Sequence, residues 1–172
     1  MRLLRVDGAA FSPCGRYRYL LTRRLGNQRR TATFILLNPS TADAERDDPT
    51  IRRCLGFARR WGCGRVFVLN LFALRATDPT ELRRAADPVG PDNARWLAQV
   101  LRRARRGRIV CGWGIHGAHL SQDRTAMHLL AELRVRPLTF GMTKHGHPRH
   151  PLYLPYAAAL TPLRLAASSV HC

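Results

Sequence analysis

The chain predicts an α/β fold: three layers, α/β/α, built on a central, mostly parallel four-stranded sheet that an N-terminal β-hairpin precedes. Three observations lead there. Four short apolar segments recur along the chain, helical stretches separate them, and asparagine, glycine or proline punctuates the end of each. Right-handed crossovers between parallel strands then place helices on both faces of the sheet.

The elements follow in order. Residues 9–25 read as two short strands around Pro13-Cys14-Gly15, a hairpin. Thr31 to Leu37 is the first core strand. Asp48 as N-cap and Pro49 at the first helical position then open a helix with Ile51, Cys54, Leu55, Ala58 and Trp61 on one face. Arg52, Arg53, Arg59 and Arg60 lie on its other face. Arg65 to Leu71 is the second strand. Asp78-Pro79 repeats the capping device, and a longer helix from about Pro91 to Arg105 turns Leu97, Val100, Leu101 and Ala104 inward. Arg108 to Gly112 is the third strand. A helix capped by Ser121 carries Ala126, Met127, Leu130 and Leu133, and Arg136 to Phe140 is the fourth strand. No repeat and no long linker divides the chain. It reads as one domain, 1–172, with hairpin about 9–25, core about 31–156 and C-terminal tail about 157–172.

Composition excludes several classes. With 172 residues, 45% apolar and 23% charged, the chain is neither disordered nor too small for a core. Its longest apolar run, Val66 to Leu74, contains Asn70 and is far short of a membrane span. The N-terminus has no continuous apolar stretch of signal-peptide type. Cys14, Cys54, Cys63, Cys111 and Cys172 form an odd set without a Cys-x-x-Cys pair. That pattern argues against a disulfide framework, a zinc site or an iron–sulfur cluster, and points to a reduced cytoplasmic protein without cofactor or metal. The formal net charge is +18; of 29 basic residues only Lys144 is lysine, so 28 are arginine. The guanidinium fork suits phosphate, which makes DNA the first partner to consider, although a GC-rich genome gives the same bias.

In open parallel sheets ligands bind beyond the carboxyl ends of the strands. Strand one ends in Leu37-Asn38-Pro39-Ser40-Thr41, and strand two in Leu69-Asn70-Leu71-Phe72. Strand three ends in Cys111-Gly112-Trp113-Gly114, and strand four leads to Arg149-His150-Pro151-Leu152-Tyr153. Two amides, a histidine and several hydroxyls and glycines thus gather at one edge. Asn70 stands out, because a buried amide without partners costs about 1–3 kcal/mol.

The blocks LLNPSTAD, DDPTIRRCLGFARRWG, VLNLFALRATDP and RHPLYLP resemble the bacterial and phage family called domain of unknown function 1643. More distantly, the order of strand-end motifs is similar to the uracil-DNA glycosylase superfamily. Its Gly-x-Asp/Asn-Pro turn corresponds to Leu36 to Pro39, and its leucine-rich strand ending in Asn to Val66 to Asn70. Its apolar-Trp-Gly strand end corresponds to Val110 to Gly114, and its terminal His-Pro to His150-Pro151. Three departures stand against it. Asn38 replaces the carboxylate, Leu152-Tyr153 replaces the usual Ser-Pro, and no cysteines match an iron–sulfur branch.

That resemblance implies a base flipped out of duplex DNA and cleaved from its sugar without a cofactor. It implies that Asn38 orients water, that Asn70 reads the base edge, and that His150 donates a hydrogen bond to the departing base. Pro39, Ser40, Phe72 and Trp113 would line the base site, Lys144 and Arg149 would hold phosphates, and Leu152 or Tyr153 would fill the vacated stack. Asp43, in the acidic run Asp43, Glu45, Asp47, Asp48, is a spare water activator or metal-binding acid, or else a solvated loop residue; Asp48 has its capping role. Three readings stay open: a glycosylase-like enzyme on DNA, a nucleic-acid-binding module without catalysis, and a hydrolase or transferase acting on a free nucleoside or nucleotide.

Overall fold

A computed structural model describes residues 7–164. The first six residues, Cys172 and the end of the expected tail, 165–172, lie outside the described residues. Seven strands form one sheet in the order β1-β2-β4-β3-β5-β6-β7. They are β1 (Gly8–Phe11), β2 (Arg18–Arg24), β3 (Thr31–Leu36), β4 (Arg65–Asn70), β5 (Arg108–Cys111), β6 (Leu138–Thr139) and β7 (Thr161–Pro162). The inner run β4-β3-β5-β6 is parallel, with Leu36 opposite Asn70 and Ile35 opposite Cys111. Both flanks are antiparallel, β1-β2 against β4 on one side and β7 against β6 on the other.

The expected four-stranded sheet with a separate hairpin is therefore corrected to a seven-stranded mixed sheet. The hairpin joins it because β2 is buried from Arg18 to Arg23 and so needs a neighbour on each side. The turn does form at the expected place, where Gly15 N–H donates to Ser12 O at 2.9 Å. β6 is shorter than expected because Arg136 is exposed and Pro137 has no N–H to give. β1 carries a register shift between Ala10 and Phe11.

Four helices cover the two faces: α1 (Pro49–Arg60), α2 (Pro79–Arg84), α3 (Asn93–Ala104) and α4 (Gln122–Glu132). Alternation along the strands divides the core. Phe34, Leu36, Val66, Val68 and Val110 pack with Ile51, Cys54, Leu55, Phe57 and Ala58 of α1. Ile35, Phe67, Leu69, Ile109 and Cys111 pack with Leu82 of α2, Leu97 and Leu101 of α3 and Ala126 and Leu130 of α4.

Helix starts follow the chemistry of their caps. Asp48 Oδ1 accepts the Ile51 N–H at 2.8 Å, and Asp78 closes a capping box with Glu81. Ser121 is a correction. Its side chain makes no cap bond, because the chain kinks through left-handed Leu120 and Ser121 as it leaves a 3-10 segment over Ile115–Ser121. No helix among the described residues is long and apolar enough to cross a membrane.

Candidate functional site

The chain runs from β3 through α1 to β4 on one side, then from β5 through α4 to β6 on the other. β3 and β5 are neighbours whose connections leave in opposite directions and over opposite faces. Their carboxyl ends therefore part and leave a crevice, the position at which doubly wound sheets bind ligands. A cavity of about 700 Å³ opens there, within the range of small-molecule sites. Its walls come from Leu37 to Ser40 after β3, Trp113 to His116 after β5, the start of α1, and the segment around His150.

Hydrogen bonds hold the first wall. The Asn38 Nδ2 donates to Pro39 O at 3.0 Å and to Ala76 O at 2.7 Å, while Ala76 N–H donates to Pro39 O at 2.9 Å. Two carbonyl partners fix the amide's orientation and leave Oδ1 as its uncommitted acceptor. Asp48 is buried and also lines the cavity; its cap bond uses one carboxylate oxygen and leaves the second uncommitted among the described residues.

The opposite wall carries His150. Its Nδ1 accepts the Leu152 N–H at 3.3 Å, so the neutral ring carries its proton on Nε2. Burial pushes the imidazole down to about 4, against the opposing pull of the Asp48 carboxylate. At neutral pH His150 is thus an uncharged donor through Nε2. Gly112 allows this wall its place: a Cβ there would lie 3.0 Å from Pro151 Cδ and 3.2 Å from Arg149 O. Gly114 N–H to Pro148 O, at 2.9 Å, and Arg149 N–H to Gly141 O, at 3.0 Å, fasten the segment.

Two arginines of β2 stand behind the acidic loop. Arg18 is 2% exposed; its Nη1 donates to Ala42 O at 2.7 Å and its Nε has no partner among the described residues. Desolvation lowers its pKa to about 10, with Asp48 the main opposing influence. Arg23 Nε pairs with Asp47 Oδ1 at 2.8 Å and its Nη2 donates to Asp43 O at 2.7 Å. Neither arginine was expected at the site. An arginine inside the apolar run Tyr17 to Leu21 was the available signal.

Of the residues singled out from sequence, Asn38, Ser40, Trp113, Arg149, His150, Leu152 and Tyr153 line the cavity. The structure brings these together from the ends of β3, β5 and β6. Pro39 is buried beside it. Asn70 and Phe72 lie in the interior and are not among its lining residues. Asn70 is 2% exposed, its Nδ2 has no partner among the described residues, and its main-chain oxygen accepts from Asn93 Nδ2 at 3.0 Å. The Phe72 ring stacks at a tilt on His119, 5.6 Å between centroids. Asp43 is committed to its own turn: Oδ1 accepts the N–H groups of Glu45 and Arg46 at 2.8 Å each, which hold its carboxyl below the ordinary range. Among the described residues no cluster of His, Cys, Asp or Glu has a metal-binding arrangement. Lys144 is exposed in the turn closed by Gly146 N–H to Thr143 O and does not reach the cavity wall.

Charge is unevenly divided between the edges of the sheet. Of the 11 acidic residues, only Asp7 and Glu132 sit at the amino edge of the parallel strands. The others lie in the connections leaving β3, β4 and β5, or in the first turns of α2 and α4. Arginines mark the amino edge instead: Arg59 and Arg60 close α1, Arg102 and Arg103 close α3, and Arg29 and Arg30 lead into β3.

No curated protein and no solved structure matches the chain. The likeness to uracil-DNA glycosylases therefore rests on the order of the strand-end motifs. A family model described as "Protein of unknown function (DUF1643)" matches residues 18–152, from the first residue of β2 to the cavity wall just past His150. The chain belongs to that DUF1643 family.

Proposed function

We propose that the cavity takes a nucleobase flipped out of DNA and that the protein hydrolyses the N-glycosidic bond of that nucleotide. The observation that carries this reading is His150, held neutral with Nδ1 occupied and Nε2–H as its remaining donor on a cavity wall. Water adds to the anomeric carbon, the bond from that carbon to the base nitrogen breaks, and its electron pair leaves with the base. His150 Nε2–H stabilises the negative charge that reaches the base carbonyl, a preorganised donor that strengthens as charge develops. Asn38 Oδ1 orients the water. Asp48, which lines the cavity where Asp43 does not, accepts the water's proton. Arg149 meets a flanking phosphate, with Lys144 further out. Tyr153, 86% exposed at the rim, stacks into the gap the base leaves, beside Leu152. The four parallel inner strands with helices on both faces support the glycosylase-like layering.

A second reading, hydrolysis of a free nucleoside or nucleotide, is favoured by the acids gathered on the cavity's edge, which repel a polymer's phosphates. One assay serves both. Base release is measured from duplexes carrying uracil, hypoxanthine, xanthine or mismatched thymine, and from the matching free nucleosides. The DNA reading expects release from a duplex, slowed about a hundredfold or more in His150→Ala. Release from nucleosides alone moves the function to the second reading. Equal rates for wild type and His150→Ala overturn the assigned chemistry.

A further inference from the structure

We infer that the amino edge of the sheet, opposite the cavity, is a second site that binds the phosphate backbone of nucleic acid irrespective of base sequence. A depression of about 740 Å³ lies there between the end of α3 and the end of α4. Arg102, Arg105, Arg106 and Arg134 line it with Leu133 and Glu132. Glu132, its one acid, is already engaged by His128 Nε2 at 3.2 Å. Arg102, Arg105 and Arg106 have no ion pair or hydrogen bond through their side chains among the described residues, nor does Arg134.

Helix-end electrostatics account for part of this charge. Arg102 and Arg103 in the last turn of α3 complement the helix dipole. Arg105, the C-cap of α3, and Arg106 and Arg134, just past the ends of α3 and α4, share that stabilisation, which one cation per helix end would already supply. Arg134 adds an independent observation. It follows α4 in the left-handed conformation, φ 50°, with its N–H donating to Ala131 O at 2.9 Å. Glycine is the usual residue at such a helix end, because any Cβ is strained there. An arginine at this position, against its backbone preference, points to a use for its side chain.

The ligand follows from the chemistry. Four guanidinium groups against a single carboxylate around one depression fit a chain of phosphates, each taken as a bidentate pair. Phosphate contacts carry no base information, so binding is indifferent to sequence. An anionic membrane asks for apolar side chains to insert. The exposed large hydrophobics Ile115, Leu120, Met142, Tyr153 and Tyr156 instead belong to the connections that follow β5 and β6, and none lines this depression. The two sites lie on opposite edges, about 20 Å apart along the six residues of β4. A straight duplex at the cavity therefore leaves this face free for another segment. The inference stands independently of the cavity's chemistry.

The test is fluorescence anisotropy of a labelled mixed-sequence duplex across a salt series, on the full chain. Replacing Arg102, Arg105, Arg106 and Arg134 by Glu should weaken binding at least tenfold. It should also flatten log K against log salt by about three to four, at about 0.9 per phosphate contact. An equal change of charge elsewhere, Arg83, Arg84, Arg95 and Arg124 to Glu, should cost under about threefold, since nonspecific charge is only weakly felt at a distance. Arg134→Gly guards against misfolding: relieving the backbone should raise Tm while binding weakens. The inference is overturned if the amino-edge variant binds like wild type or if both quadruple variants lose affinity equally. It is also overturned if wild type binds phosphatidylglycerol vesicles but not the duplex.

Discussion

Acid should weaken the fold through His150, by an amount the structure specifies. The free imidazole titrates near 6.5 and burial lowers the folded value to about 4. Between those values the unfolded chain binds a proton that the folded chain refuses, so stability rises with pH and is lost as pH falls. Each pKa unit is worth about 1.4 kcal/mol, which makes the full penalty about 3 kcal/mol below pH 4. Between pH 7.5 and pH 5 the share is about 2 kcal/mol. Asn at 150 preserves a short acceptor for the Leu152 N–H and removes the titration. Urea unfolding of wild type and His150→Asn at both pH values gives two differences. That of wild type should exceed that of the variant by about 2 kcal/mol, contributions from the other histidines cancelling. Equal differences would mean that His150 titrates normally, and the neutral donor assigned to it would go with them. NMR titration of the ring should show the same low midpoint.

Other variants separate architecture from chemistry. Asp48→Ala should cost more in thermal unfolding than the about 1 kcal/mol of the lost α1 cap, because the buried Arg18 also loses its main neighbouring negative charge. Asp48→Asn, which caps well, should recover the cap's share of that stability but not the charge facing Arg18, while base release falls about a hundredfold or more. Gly112→Ala should destabilise by about 1–3 kcal/mol, since its Cβ meets Pro151 and Arg149 across the cavity wall; ligand affinity should fall with it. Tyr153→Ala, at an 86% exposed position, should change the unfolding free energy by no more than about 0.5 kcal/mol, as surface changes typically do. Its effect should be on duplex affinity, read by anisotropy.

Local chemistry carried much of the fold into view before any coordinates. Asp48-Pro49 and Asp78-Pro79 announce helix starts because the cap and the missing proline N–H act within one turn. Phe34, Val66 and Val110 alternate with Ile35, Phe67 and Ile109 because the inner strands are covered on both faces. What lay beyond reach was decided by distant partners. The hairpin's place in the sheet depends on β4, and β7 is two residues long and half proline, with no alternation to detect. Ser121 looks like a cap, yet the kink before it takes its side chain out of position. At the site, Asn38 and His150 were legible as strand-end residues. Asp48 was legible only as a cap, since nothing local shows that the same carboxylate faces His150 across a cavity. Asn70 misled in the opposite way: a polar residue at a strand end lies inside, under loops that Asn93 ties down.

The borders of the sheet bear on how copies of the molecule behave when crowded. A strand at a border exposes a row of unpaired N–H and C=O groups, a template onto which another chain can add. Here one border is Thr161–Pro162, two residues long and ending in a residue with no N–H to offer. The other is four residues whose pairing shifts register between Ala10 and Phe11, which interrupts its ladder. Among the described residues neither border presents enough straight ladder to seed strand addition. A sheet finished in this way lets neighbouring copies crowd side by side without fusing into aggregates.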